Sequence, residues 1–306
     1  MDIKALVDLQ FTIFIIMMIG IVLRNKNIIT ASGKKSLTDI FINVILPCNI
    51  IHSFQIDMSM QILISSGYVL IIAIGIQMLA LVINEIAYRK IDENKRVVFK
   101  YGTICSNAGL IGNSICENIY GLEGLLYASI YLIPQRLCMW SVGVAYFEKI
   151  SGKKVIKQVC THPCIIAVAI GFILMIFHLE LPVSIQKSLT YLSDCNLPLS
   201  MIIIGSILAD VKIGNVINKD TLYYCIMRLV IIPLLVLVVC VFLPINLTVM
   251  GVCVTLAGMP AGTTTAILAE KYHRDSLFAS ACVFISTLLS LITTPLLYVV
   301  IMNMAI

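Results

Sequence analysis

Ala257-Gly258-Met259-Pro260-Ala261-Gly262-Thr263-Thr264-Thr265 interrupts an apolar run long enough to cross a bilayer, and Ser106-Asn107-Ala108-Gly109-Leu110-Ile111-Gly112-Asn113-Ser114 interrupts another in the first half of the chain. Proline removes a backbone donor and clashes with the turn before it, while glycine permits unwound backbone. An unpaired N–H or C=O facing lipid costs several kcal/mol, so an interrupted helix is tolerated only where it is buried in protein or lines a cavity. Taken singly, Gly112 or Gly258 fits the close packing of small residues between membrane helices. Taken together, the two clusters point to one broken helix in each half of the chain.

The surroundings of these clusters fix the solvent. Of the 306 residues 60% are apolar and 12% charged, and the mean hydropathy is +1.02. Soluble domains carry about 45–50% and 25%. About 20 apolar residues cross a hydrocarbon core about 30 Å thick. Ten runs of that kind are found, near 5–23, 37–54, 62–83, 101–120, 125–147, 163–178, 187–209, 222–243, 249–269 and 277–302. The fourth, seventh and ninth are the least hydrophobic. The first has a full spanning length and is followed at once by Arg24 and Lys26, so it reads as a retained span rather than a secretory signal.

Lysines and arginines are retained on the cytoplasmic side of short loops. Seventeen of the 21 fall in odd-numbered loops, such as Arg24, Lys26, Lys34 and Lys35 or Lys149, Lys153, Lys154 and Lys157; only Lys4 and Lys187 fall on the other side. Both termini are thus expected on the non-cytoplasmic side of a cell membrane. The net charge of +5 follows from this bias and calls for no nucleic-acid partner.

Ten runs divide into two fives. Leu46-Pro47 in the second recurs as Leu197-Pro198 in the seventh, and Gly109 in the fourth is matched by Pro260 in the ninth, each 151 positions on. The domains expected are therefore a first five-helix repeat, 1–150, and a second, 151–306. Five is odd, so the second copy enters the membrane from the opposite face. That is the inverted-repeat plan of secondary transporters, with the substrate site near the midplane on discontinuous helices. Two half-helix N-termini aimed at one point favour an anion there.

Two charges lie deep. Arg136 sits about 20 Å from the cytoplasmic end of its run. A central arginine costs about 2.5–3.5 kcal/mol by insertion scales, so it faces a partner or a watery cavity. It either binds a substrate carboxylate with its bidentate fork or pairs with a structural acid such as Asp194. Asp194 is the deeper acid and a candidate for ion coupling. Arg228 lies only about 10 Å inside its run, and Glu117 is near an end, so both are expected to reach the interface.

All eleven cysteines lie in or beside apolar runs as small hydrophobes, so no disulfide framework is expected. Cys160-Thr161-His162-Pro163-Cys164 lacks four convergent ligands; Pro163 suits a helix start, and neither metal nor other cofactor is expected. No intramembrane aspartyl, serine or zinc-protease motif occurs and the four histidines are scattered, so no catalytic residues are assigned. A channel or uniporter is the alternative to a carrier, but rings of charge or a filter loop are not evident. A transporter-derived sensor is less favoured because every loop is short.

At these residues the chain resembles the auxin efflux carrier family of permeases, across nearly its whole length. The most specific stretch runs from Met259-Pro260-Ala261-Gly262-Thr263-Thr264-Thr265 to Ala269-Glu270-Lys271-Tyr272; Asn196-Leu197-Pro198, Arg228 with Pro233, and Ser286-Thr287-Leu288-Leu289-Ser290 add to it. The resemblance implies an all-α membrane protein of ten transmembrane helices in two inverted five-helix repeats, with broken, crossing fourth and ninth helices. This is an architecture like that of bile-acid/sodium symporters and NhaA-type antiporters. It implies a scaffold part and a transport part drawn from both repeats, with elevator-type alternating access for a monocarboxylate, a dicarboxylate such as malate or malonate, or an auxin-like acid. On that likeness the substrate site draws on Asn107, Gly109, Gly112, Asn113 and Ser114 from the fourth span and Pro260, Ala261, Gly262, Thr263 and Thr264 from the ninth, with Arg136 beside them. The implied partners are a small organic anion and the lipid bilayer, and a homodimer through the scaffold helices is admissible. Two departures stand out. Ser114 occupies a position where the family commonly has proline, which softens the expected fourth-helix break, and Arg136 replaces a neutral amide.

Overall fold

The computed structural model describes residues 3–55, 59–148, 157, 160–179, 181–210 and 218–304. Among these residues the chain is all-helical. Eleven helices follow in order: α1 (Ile3–Asn25), α2 (Ala31–Ser53), α3 (Met60–Ile86), α4 (Glu93–Ile104), α5 (Asn113–Cys138), α6 (Pro163–Ile176), α7 (Val183–Leu208), α8 (Lys219–Val241), α9 (Leu247–Ala257), α10 (Thr264–Lys271) and α11 (Ser276–Met304). Five of them, α2, α3, α7, α8 and α11, are unbroken helices long and apolar enough to cross a membrane, and α6, α9 and the Phe11–Asn25 part of α1 are shorter apolar helices. The expected boundary between repeats near residue 150, and Lys149, Lys153, Lys154 and Lys212 of the charge tally, lie outside the described residues.

Helix starts follow local chemistry. Thr30, Ser59, Asn218 and Asn246 accept a backbone N–H from the first turns of α2, α3, α8 and α9 through their side chains. Wider π turns at Phe41–Ile45, within α2, and at Met227–Ile231, within α8, let helices of this length continue past local bulges. In α5 the chain reverses at Gly121, whose φ of +67° and ψ of −158° suit only glycine.

The side-chain distribution is that of a protein solvated by lipid. Phe11, Ile15, Ile71, Met78, Ile86, Val239 and Phe242 stand exposed, while Asn49, Gln77, Asn84, Asn107, Asn113 and Asn196 are buried. Helices approach closely where side chains vanish. A Cβ on Gly20 of α1 would collide with the Ile202 backbone of α7, and one on Gly205 of α7 with the carbonyl of Met17. This is the small-residue packing of membrane bundles. At the end of α7, Asp210 accepts from Arg24 Nε at 2.6 Å and pairs with Lys34, tying α1, α2 and α7 together. Partial burial alone would raise the Asp210 carboxyl, but the hydrogen bonds and charges of Lys34 and Arg24 outweigh it and hold its pKa below the ordinary value.

Candidate anion site at the crossing of two broken helices

The two interrupted segments meet. α4 ends at Ile104, and Cys105 turns extended at φ −104°, ψ 93°. α9 ends at Ala257, and helix resumes only at Thr264. Between them Ser106 and Ala261 form an isolated antiparallel bridge. The Asn107 N–H donates to the Pro260 carbonyl at 2.8 Å, and the Gly262 N–H to the Cys105 carbonyl at 2.8 Å. The unwound backbones thus satisfy each other, as they must where water is scarce. Gly262 is required at this approach, because a Cβ there would lie 2.9 Å from the Cys105 carbonyl oxygen.

Side chains brace the bridge from both sides. Ser106 Oγ donates to Gln135 Oε1, and Gln135 Nε2 donates to the Ser106 carbonyl, both at 2.9 Å. The Ala261 N–H donates to Ser286 Oγ at 3.1 Å. Arg228 does not reach for the interface as expected from its depth: it is buried, and its Nη1 donates at 2.9 Å to the carbonyl of Ala257, the end of α9. A helix end leaves carbonyls without intrahelical partners, and a guanidinium answers one here.

The first break is shorter than the sequence suggested. Helical geometry returns as a π turn at Ala108–Gly112 and passes into α5, with Gly112 at φ −66°, ψ −44° and Asn113 at φ −57°, ψ −47°. Only Cys105 to Asn107 are unwound. Ser114 stands inside a helix and accepts from Asn196 Nδ2 at 3.1 Å.

A cavity of about 150 Å³ opens beside the crossing. Asn107, Gly109, Gly262, Thr263, Thr264 and Arg136 line it, together with Gln135, Ser106 and, from other helices, Thr38 and His162. The remaining expected residues are placed elsewhere. Gly112 packs against Leu256 and Met259, Asn113 and Ser114 are buried away from the lining, and Pro260 and Ala261 contribute backbone to the bridge. Asp194 is exposed at the end of the first half of α7, is not enclosed, and does not pair with Arg136. Glu117, expected near an interface, instead accepts from buried Asn49 at 3.0 Å.

Two buried donors at the cavity are unmatched. Arg136 is 6% exposed, makes no ion pair among the described residues, and its Nη1 has no hydrogen-bond partner. Gly109 lies beside it, the position of a Cβ there 3.9 Å from Arg136 Nη2, an ordinary contact distance. Asn107 Nδ2 is a second buried donor without an acceptor. The helix resumed at Ala108 and the one resumed at Thr264 both begin at the cavity, so their positive dipole ends face it; at the second, the Thr265 and Ala266 N–H groups are already matched by the Gly262 and Thr263 carbonyls. His162 Nδ1 accepts the Cys164 N–H at 3.3 Å and so caps α6.

A family model described as "Membrane transport protein" matches residues 6–159 and 146–298. The chain belongs to this family, that of the auxin efflux carriers. It is 26% identical over 298 residues to an uncharacterised transporter of Methanothermobacter thermautotrophicus, covering 94% of this chain and 96% of that protein. It is 23% identical over 302 residues to another of Methanocaldococcus jannaschii, with the same coverage. As a member of the membrane transport protein family, with several apolar helices, the chain is a multi-pass membrane protein and a transporter by family. Gln135, Ser106, Ser286 and Arg228 are the site residues whose roles sequence alone did not assign. The signals for Arg228 were its place inside an apolar run and, with Pro233, in the family resemblance.

Proposed function

We propose that this protein is a secondary transporter that carries a small organic anion, a mono- or dicarboxylate, across the cell membrane by elevator-type alternating access. The observation that carries this reading is Arg136. It is a buried guanidinium with an unmatched donor, set in a cavity between two resumed helices at the crossing of two broken segments. A buried arginine without a partner is costly, and a carboxylate supplies the missing acceptors in a bidentate geometry.

The wider plan in this proposal is ten spans in two inverted repeats, 1–150 and 151–306, with both termini on the non-cytoplasmic side. Equivalent positions doing equivalent work support it. Gln135 and Ser286 stand 151 positions apart, and each hydrogen-bonds the bridging residue of its own half, Ser106 or Ala261. Gly20 and Gly171 are also 151 apart, as are Phe54 and Gly205; Gly20 packs at Gly205 and Gly171 at Phe54. α1 thus lies on α7 as α6 lies on α2.

The test is flux into proteoliposomes over a panel of monocarboxylates, dicarboxylates and indole acids, under imposed pH, sodium and voltage gradients. Saturable uptake with counterflow of at least one organic anion is expected. Failure of every organic anion, or non-saturable flux, would overturn the proposal.

A further inference from the structure

A second polar cluster lies apart from the cavity, where α2, α5 and α7 pack together. Asn49 of α2 is fully buried, and its Nδ2 donates both to Glu117 Oε2 of α5 at 3.0 Å and to Ser193 Oγ of α7 at 2.8 Å. Both amide protons are used, so the orientation of this amide is fixed and its Oδ1 faces no donor. Asn196 of α7, 1% exposed, donates to Ser114 Oγ, and its Oδ1 is likewise unmatched. Asn113 is fully buried with neither side-chain atom partnered, and it stands one turn before Glu117 on the same face of α5.

The imbalance has a sign. Three buried amides each hold a carbonyl oxygen with no donor, beside a half-buried carboxylate that makes no ion pair among the described residues. Native structures seldom leave buried polar atoms unmatched. A proton on Glu117 would serve one of these oxygens and leave the others. A water would bring two donors and leave the carboxylate uncompensated. A small cation answers the charge and the oxygens together, and amide, hydroxyl and carboxylate oxygens are the ligands that hard cations take. One carboxylate matches one positive charge.

We propose that Asn49, Asn113, Ser114, Glu117 and Asn196 form a binding site for a hard monovalent cation of the Na⁺ type, separate from the anion cavity. The site sits on the helix resumed after the first break, so occupancy would stiffen α5 against α2 and α7. Its use in driving transport would rest on the anion-carrier reading, but its binding does not, and the test is therefore made without transport.

The full-length protein in detergent is melted in NaCl and in choline chloride at equal ionic strength, with no organic anion present. Sodium is expected to raise the melting temperature saturably, by on the order of 2–4 °C at well above the dissociation constant. Glu117→Gln is expected to abolish the increment and Asn113→Ala to weaken it. Asn113→Ala removes an amide that makes no hydrogen bond, so it keeps the test open if Glu117→Gln does not fold. Arg136→Gln is expected to retain the sodium increment, which separates failure here from failure of the anion site. Identical melting of the natural protein in the two salts would overturn the proposal. So would an increment undiminished in both cluster variants, or stabilisation that follows pH and ignores sodium.

Discussion

The two breaks at the crossing each have a buried arginine nearby, and the two arginines do opposite things. Arg228 is committed: its Nη1 holds the carbonyl at the end of α9, where six residues, Gly258 to Thr263, intervene before helix resumes. Arg136 is uncommitted, beside a break of only three residues whose backbone is held instead by the neutral Gln135. The longer break, with its proline and two glycines, frees more carbonyl and needs a fixed cation. The shorter one is satisfied by an amide and leaves a donor of its arginine unmatched, the donor to which the proposed function assigns the anion. Residue type and depth alone do not separate a structural charge from a binding one; what separates them is whether the surrounding acceptors are already matched.

The largest effect that sharpens this contrast is expected at Arg136. Arg136→Gln should lower uptake of the transported anion by about 2–4 kcal/mol in apparent affinity, some thirty- to thousand-fold, with little change in melting temperature. Transport at unchanged affinity would break the contrast from the binding side. Arg228→Met should act on the fold instead, costing about 1.5–3 kcal/mol as Ala257 loses a charge-assisted bond in the interior. Detergent melts followed by size exclusion would register it, and a variant as stable as the parent would remove the structural role given to Arg228.

Smaller again is Gln135→Ala, which takes two neutral hydrogen bonds from Ser106. A loss of about 1–3 kcal/mol is expected, with Ser286→Ala costing less because it frees only one amide. Equal losses would mean that the two breaks are braced alike. The smallest effect lies far from the crossing. Asp210 has a depressed folded pKa, so its contribution is present above the unfolded value of about 3.9 and is lost as pH falls through the folded one. Asp210→Asn should therefore cost under about 1 kcal/mol near neutrality, since the group is about a third exposed, and the cost should shrink as pH falls from about 4 through the depressed folded pKa. Melting curves of the two proteins across that range would show convergence in acid.

Much of this was legible in the sequence, because lipid leaves little freedom. Apolar runs of spanning length must be helices, and two clusters of glycine, proline, asparagine and threonine inside such runs had to be breaks. Arg136, from its depth, and Asn107 and Thr264, from the clusters, were expected together, and all three line one cavity. What could not be read was how the backbone freed at the breaks is satisfied, since that depends on which groups 25 to 157 positions away arrive within about 3.1 Å. The pairing of Ser106 with Ala261, the brace of Gln135 and Ser286, and the commitment of Arg228 are all contacts of this kind. So is the displacement of Asn113 and Ser114 from the cavity, because helix resumed at Ala108 and buried both, Ser114 against Asn196 of α7. Local composition determined where the helices must fail; only tertiary packing decided which polar groups were consumed in repairing the failure and which were left unmatched.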